Sequence, residues 1–293
     1  MPQITDFSLF LETNVLRNEF GFQYKLGLPI IPQVQRGQVC KLNALSVVLN
    51  SLHQFREMPK PLPLRKNRNE YAYSMRELSK EKYDSQVGEI YSAQVLAAIA
   101  ADNGYPDSSI YTENQYPLYV GRIIAAMEND QAPIIFYDVD QSGEPALYMS
   151  DREHAVVVAG YFINKQQEEC FIISQWGKYY WVKAADVFAS TSQLSKSRTP
   201  EVFYKYDSGW HDLYSTRFAP PELFTKAPTE RRTAHEVPKG DGGLKNKILV
   251  INHQPKVEKT SLYSSHFTMF SSKESERLFR EDLARKNIPR TTF

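Results

Sequence analysis

The chain has 293 residues, with 35 Lys+Arg against 34 Asp+Glu, 42% hydrophobic residues and 13% aromatic ones. That is the composition of a globular protein able to bury a substantial core. It excludes the broad basic field of a general nucleic-acid binder and the polar, one-signed charge of a disordered chain.

At the N-terminus, MPQITDFSLFLETNVLRNEF is interrupted by Asp6, Glu12 and Arg17 and cannot serve as a signal-peptide core. No stretch approaches the roughly 18 apolar residues that cross a bilayer. A soluble molecule is expected, either cytoplasmic or exported by a route that reads no N-terminal hydrophobic signal. The proline-broken run LGLPIIPQVQ (26–35) reads as a leading strand or loop. Ala44, Leu45, Val48, Leu49 and Leu52 fall at helical spacing, so a helix is predicted to begin close to Cys40. MPKPLPLRKNRNE (58–70) is proline-rich and basic and reads as an exposed loop. Residues 74–103 read as helical, with Asn103-Gly104 as the stop. A second helix carries Val120, Ile123, Ile124 and Met127 and ends near Asn129.

Three β-rich runs follow, PIIFYDVD (133–140), HAVVVAGYF (154–162) and CFIISQWG (170–177), the last two joined by the polar NKQQEE. KYYWV (178–182) adds a strand and AADVFAST (184–191) a short helix. Helices first and an antiparallel meander afterwards predict an α+β domain. Beyond Arg198 the pattern weakens, with KILVINH (247–253) as a lone strand and 271–287 as a surface helix that Ser271 and Glu274 would open as a capping box. The expected organisation is an N-terminal segment 1–27, a catalytic domain 28–198, and a C-terminal extension or small second region 199–293.

Only two cysteines are present, 130 positions apart, with no CxxC or Cys/His ligand cluster, so neither a zinc site nor any other cofactor is called for. Reduced thiols are the simpler expectation. Cys170 opens a strand in an apolar context and reads as core. Cys40 stands at a helix start, where the helix dipole favours a thiolate. Of the histidines, His53, His211, His235, His253 and His266 lie in polar or irregular contexts and read as surface residues. His154 instead opens a strand, and the next strand ends in the polar pair Ser174-Gln175 before Trp176-Gly177. A thiol at a helix start, an imidazole at a strand start and a polar side chain on the following strand are what thiol catalysis requires. Taken singly, each of these residues is most simply structural; their joint order favours chemistry.

HAVVVAGYF, FIISQWG and YYWV together resemble the His-to-Asn region of papain-like cysteine peptidases, whose pattern is HAV-x-x-x-GY followed by NSWG or DPWG. RIIAAMENDQAPIIFYDVD (122–140) resembles that fold's helix leading into the strand before the catalytic His. PQVQRGQVCKLNALSVVL (32–49) resembles the Gln…Cys helix opening, particularly of the double-glycine-leader peptidase-like branch. The resemblance covers about residues 28–195 in the right chain order. It implies a papain-like fold in which Cys40 is the nucleophile, His154 the base and Trp176 a substrate-binding residue. The family's oxyanion Gln position falls on Val34, and of the surrounding Gln33, Gln35 and Gln38, Gln35 is favoured as the donor beside the Cys40 amide.

The family's Asn or Asp is replaced here. Aligning SQWG on NSWG puts Ser174 at that position, with Gln175 next. Successive strand residues point to opposite faces, so the two cannot both meet His154. Gln175, with the longer reach and an amide oxygen to accept from the ring, is favoured, and Ser174 stays open. A Cys-His-Gln set resembles the cycle-inhibiting-factor type of glutamine deamidases and related transglutaminases, which act on host ubiquitin pathways. The leading expectation is a cysteine protease acting on proteins or peptides through a thioester. A glutamine deamidase or transglutaminase acting on a host ubiquitin-like protein, and an inactive papain-like scaffold, are the alternatives. The polar tail SSKESERLFREDLARKNIPRTTF (271–293) resembles the C-terminal signals of bacterial type IV secreted effectors.

Overall fold

The computed structural model describes residues 1–35, 39–65, 73–194, 201–207, 209–212, 227–253 and 273–286. The chain opens with β1 (Gln3–Ile4), α1 (Phe7–Asn14), the β2 (Arg17–Asn18)–β3 (Gly21–Phe22) hairpin and β4 (Tyr24–Leu26). Three helices follow, α2 (Cys40–Arg56), α3 (Met75–Lys82) and α4 (Ala93–Asp102), then β5 (Ser108–Thr112) and α5 (Tyr116–Glu128). Next come β6 (Ile134–Val139), β7 (Pro145–Ala146), β8 (Glu153–Ile163), β9 (Glu169–Gln175), β10 (Lys178–Lys183) and α6 (Ala184–Ser192). The C-terminal part supplies β11 (Glu201–Tyr206), β12 (Gly209–Asp212), β13 (Glu230–Thr233), β14 (Lys247–Ile251) and α7 (Lys273–Lys286). The architecture is α+β and compatible with a papain-like fold.

The main sheet is antiparallel, in the order β1-β10-β9-β8-β6-β14-β5, with β4 beside β8 and β7 beside β6. β8 is its spine. Every residue from His154 to Phe162 is buried, as expected of a strand covered on both faces. One face packs Ala155, Val157, Ala159 and Ile172 with the apolar side of α2 and α4. The other packs Val156, Val158, Phe171 and Ile173 with α5 and α6. At Gly160 a β-bulge lets Leu26 and Lys25 come so close that an added Cβ would lie 2.8 Å from the Lys25 carbonyl oxygen, a position only glycine fills.

α2 is buried almost throughout its first three turns, from Cys40 to Leu49, which marks it as the central helix of the domain. The helical reading of 74–103 divides in two: α3 ends near Tyr83, and Ser92 caps α4 by accepting from the Val95 amide. Between them Gly88, at φ +83°, turns the chain back. KILVINH contributes β14, which pairs with both β6 and β5 inside the main sheet. α7 lays Phe279 against Phe7 and Tyr179. The Ser271 half of the expected capping box lies outside the described residues. No helix among the described residues is long and apolar enough to cross a membrane.

Candidate active site

Cys40 is the first residue of α2, 6% exposed, and its Sγ donates to the carbonyl oxygen of Glu153 at 3.8 Å. Glu153 immediately precedes His154. The start of the central helix therefore meets the start of the spine strand, more than a hundred residues apart in sequence. His154 is also buried, at 6%. Among the described residues no hydrogen bond joins its ring to the thiol.

Ser174 and Gln175 separate as strand alternation demands. Ser174 follows the side of Ile172, the α2 face, whereas Gln175 follows Phe171 and Ile173 onto the α5/α6 face. His154 lies on that same face, in step with Val156 and Val158. Gln175 stands close enough to favour the protonated imidazole, yet His154 Nε2 and Gln175 Oε1 are both buried without a hydrogen-bond partner. The Gln175 amide nitrogen donates instead to the Gly143 carbonyl at 3.5 Å.

Trp176 and Gly177 form the two-residue β9–β10 turn, both with positive φ (+50° and +78°), as a type I′ hairpin requires. A tryptophan seldom takes this conformation. Here it sets the indole 5.9 Å from the His154 ring, as a half-buried wall of the site. Gly177 admits Val34, whose Cγ2 would stand 2.7 Å from an added Cβ. The 33–35 segment thus lies along this turn. Gln35 is half-buried there, and Gln33 Oε1 accepts from Ser46 Oγ at 3.2 Å.

The helix start differs from the expected thiolate-stabilising one. The amides of Cys40 and Lys41 both donate to the buried carboxylate of Glu89, at 2.8 and 3.2 Å. The donor expected at an oxyanion is therefore occupied, and the positive end of the helix faces a negative charge. Burial first, and Glu89 second, push the Cys40 thiol up to about 12. Burial first, then the Lys41 charge, press the His154 imidazole down to about 3, with Gln175 opposing. Both shifts favour the uncharged forms, a thiol and a neutral imidazole rather than an ion pair.

Several site residues escape a sequence reading. Lys41, 1% exposed, donates to the Glu153 carbonyl at 3.0 Å and lies over the Tyr91 ring at 3.9 Å. Its only signal is a charged residue in the first turn of a helix that carries no other charge until its last turn. Asp138, fully buried, accepts from the amides of Tyr148, Ser150 and Arg152 and from the Gln193 side chain, which fixes the loop leading into His154. Two histidines assigned to the surface are not there. His235 is buried because its Nδ1 accepts from the Tyr91 amide at 3.0 Å, and the side chain of His253 is buried beside Asp130. Cys40 and Cys170 are both free. Among the described residues no group of three or more His, Cys, Asp or Glu side chains could hold a metal ion.

An α+β domain whose central helix opens on a cysteine and whose spine strand carries a histidine near its start is compatible with a papain-like fold. Residues 30–162 match the family described as actin maturation protease-like, C-terminal domain. The similarity spans less than half of the chain and takes in Cys40 and His154 but not Gln175. The matched region is thus similar to a peptidase-related family, and the match lends no support to the double-glycine-leader or deamidase branches. No curated protein matches the chain.

Proposed function

We propose that the protein is a cysteine peptidase acting on protein substrates, with Cys40 as nucleophile, His154 as base and Gln175 as the residue that orients the imidazole. The observation that carries this reading is the contact of the Cys40 thiol with the carbonyl of Glu153, the residue next to His154, within the region that matches a peptidase-related family. Because both groups rest neutral, His154 removes the thiol proton as sulfur attacks the carbonyl carbon, in the manner of a general base. In the proposed reaction Gln175 turns its Oε1, which has no hydrogen-bond partner among the described residues, to accept from Nε2–H, and so leaves Nδ1 as the basic nitrogen. The imidazolium then protonates the leaving amine as the C–N bond breaks. Water, deprotonated by His154, hydrolyses the thioester and returns the thiol. Gln35, on the segment beside the Gly177 turn, is the proposed oxyanion donor, since Glu89 holds the Cys40 amide.

The matched family's name refers to actin maturation, which makes actin the first substrate to test. A glutamine carbonyl would undergo the same steps with loss of ammonia, and the Cys-His-Gln set favours keeping that second reading. Intact-mass analysis of actin and of other candidate proteins, incubated with the enzyme and with Cys40→Ala, separates the two. Cleavage gives fragments that together contain one added water, whereas deamidation gives the small amide-to-acid change with no fragments. No change in any substrate, or processing that persists in Cys40→Ala, would overturn the proposal.

A further inference from the structure

The thiol of Cys40 and the ammonium of Lys41 share one acceptor, the Glu153 carbonyl, at 3.8 and 3.0 Å. On the other side of the same helix end, the Glu89 carboxylate holds the first two amides and stands 4.0 Å from Lys41 Nζ. Lys41 and Glu89 are 1% and 3% exposed, so water screens neither charge effectively. Lysine and glutamate are seldom buried so completely unless paired. The pair is also supported from outside. Ser85 Oγ donates to the Glu89 carbonyl at 2.8 Å, and His235 holds the Tyr91 amide that brings the aromatic ring under Nζ.

This arrangement resolves a conflict at the helix end. A carboxylate on those amides anchors α2 but removes the positive field that would otherwise favour a thiolate. Lys41, one residue after Cys40, restores positive charge near the sulfur, with which it shares the Glu153 carbonyl. It also reaches the residue next to His154, whose charged form it disfavours.

We propose that Lys41 and Glu89 act as a buried positioning pair, Glu89 fixing where Cys40 stands and Lys41 countering the negative charge that Glu89 places beside the thiol. The proposal rests on Cys40 being the nucleophile. Neither residue touches substrate. Among the described residues Tyr91 also interacts electrostatically with the thiol, while Glu153 and His154 interact with Lys41.

The test is the rate of iodoacetamide labelling at Cys40, resolved from Cys170 by peptide mass mapping across pH 6–10. Glu89→Gln keeps the shape and removes the negative charge, leaving Lys41 unopposed. Each unit by which the thiol pKa falls raises the thiolate fraction tenfold and lowers its nucleophilicity about threefold, a net gain of about threefold at neutral pH. Glu89→Gln is therefore expected to label at least about threefold faster at pH 7, and Lys41→Met at least about threefold slower. An unchanged or slower rate in Glu89→Gln overturns the proposal, whether or not Lys41→Met folds. Labelling reads the thiol without substrate, so the two ideas can fail separately. Opposite shifts without any cleavage would sink the peptidase reading alone. Cleavage that depends on Cys40, with labelling unaffected by either variant, would sink the ion-pair proposal alone.

Discussion

Cys40 and Cys170 are alike in the property most often used to judge a thiol. Both are free and buried, and in both burial is the main reason the thiol is pushed up to about 12. Their surroundings differ completely. Cys170 lies within β9 in the main core, fully buried among side chains such as Phe162 and Ile172, with its Sγ on the Glu168 carbonyl at 3.7 Å. Cys40 stands at the mouth of a helix, between a buried carboxylate, a buried ammonium and the backbone that carries His154. A raised thiol pKa therefore records burial. Reactivity is decided by which groups can take the proton and hold the charge.

The largest expected effect breaks that comparison if it fails. Cys40→Ala should leave no measurable turnover of a protein substrate. Cys170→Ala should leave kcat within about twofold while lowering stability by roughly 1 kcal/mol through a small core cavity. Equal activity in the two variants would remove the distinction. His154→Ala comes next, with an expected loss of about 10²–10⁴ in kcat, the range for a positioned general base.

The strand end that carries His154 offers a sharper contrast between neighbours. Gln175 shares the face of His154, and Ser174 points to the other side, toward α2. Gln175→Ala should lower kcat about tenfold or more with little change in KM, because it removes the acceptor that sets the imidazole's tautomer. Ser174→Ala should stay within about twofold. Steady-state kinetics on one substrate decides it, and the reverse order would give the orienting role to Ser174.

The strands and helices around this site were legible because each is a local pattern. β8 reads as a long apolar run, the β9–β10 hairpin as two β-rich runs flanking Trp-Gly, and α2 as helical spacing after Cys40. Cys40 and His154 stand out through their order along the chain, and the structure sets the helix start that carries one against the strand start that carries the other. The charges at the helix end were not legible. GEIYS (88–92) looks like an ordinary polar turn, and nothing local ties Glu89 to amides 49 positions earlier. The same holds for β14, whose neighbours β6 and β5 lie more than a hundred residues upstream. His235 looked solvent-facing because its partner, the Tyr91 amide, is 144 residues away. In each case the missing information is a long-range pairing of a polar group, which has no period to read.

The smallest expected effect concerns stability against pH, where adjacent residues oppose one another. The His154 imidazole lies at about 3 in the folded protein, below its ordinary 6.5, first because it is buried and second because of Lys41. Between those values the unfolded chain takes a proton that the folded one refuses, so stability is full above 6.5 and falls as pH drops toward 3. Glu153 is raised from 4.5 to about 7, chiefly by burial. Its contribution is full below 4.5 and is lost as pH rises through 7. From 4.5 to 6.5 the two slopes run in opposite senses, each at most about 1.4 kcal/mol per pH unit, and largely cancel. Below 4.5 only the His154 slope persists of the two. His154→Gln should therefore flatten the acid limb of a urea-unfolding series below pH 4.5 relative to the parent protein. Between pH 4.5 and 6.5 it should uncover a decline in stability with rising pH that the parent lacks. An acid limb of unchanged steepness in His154→Gln would mean that the imidazole titrates alike in the folded and unfolded chain, and that burial does not hold it in its neutral form.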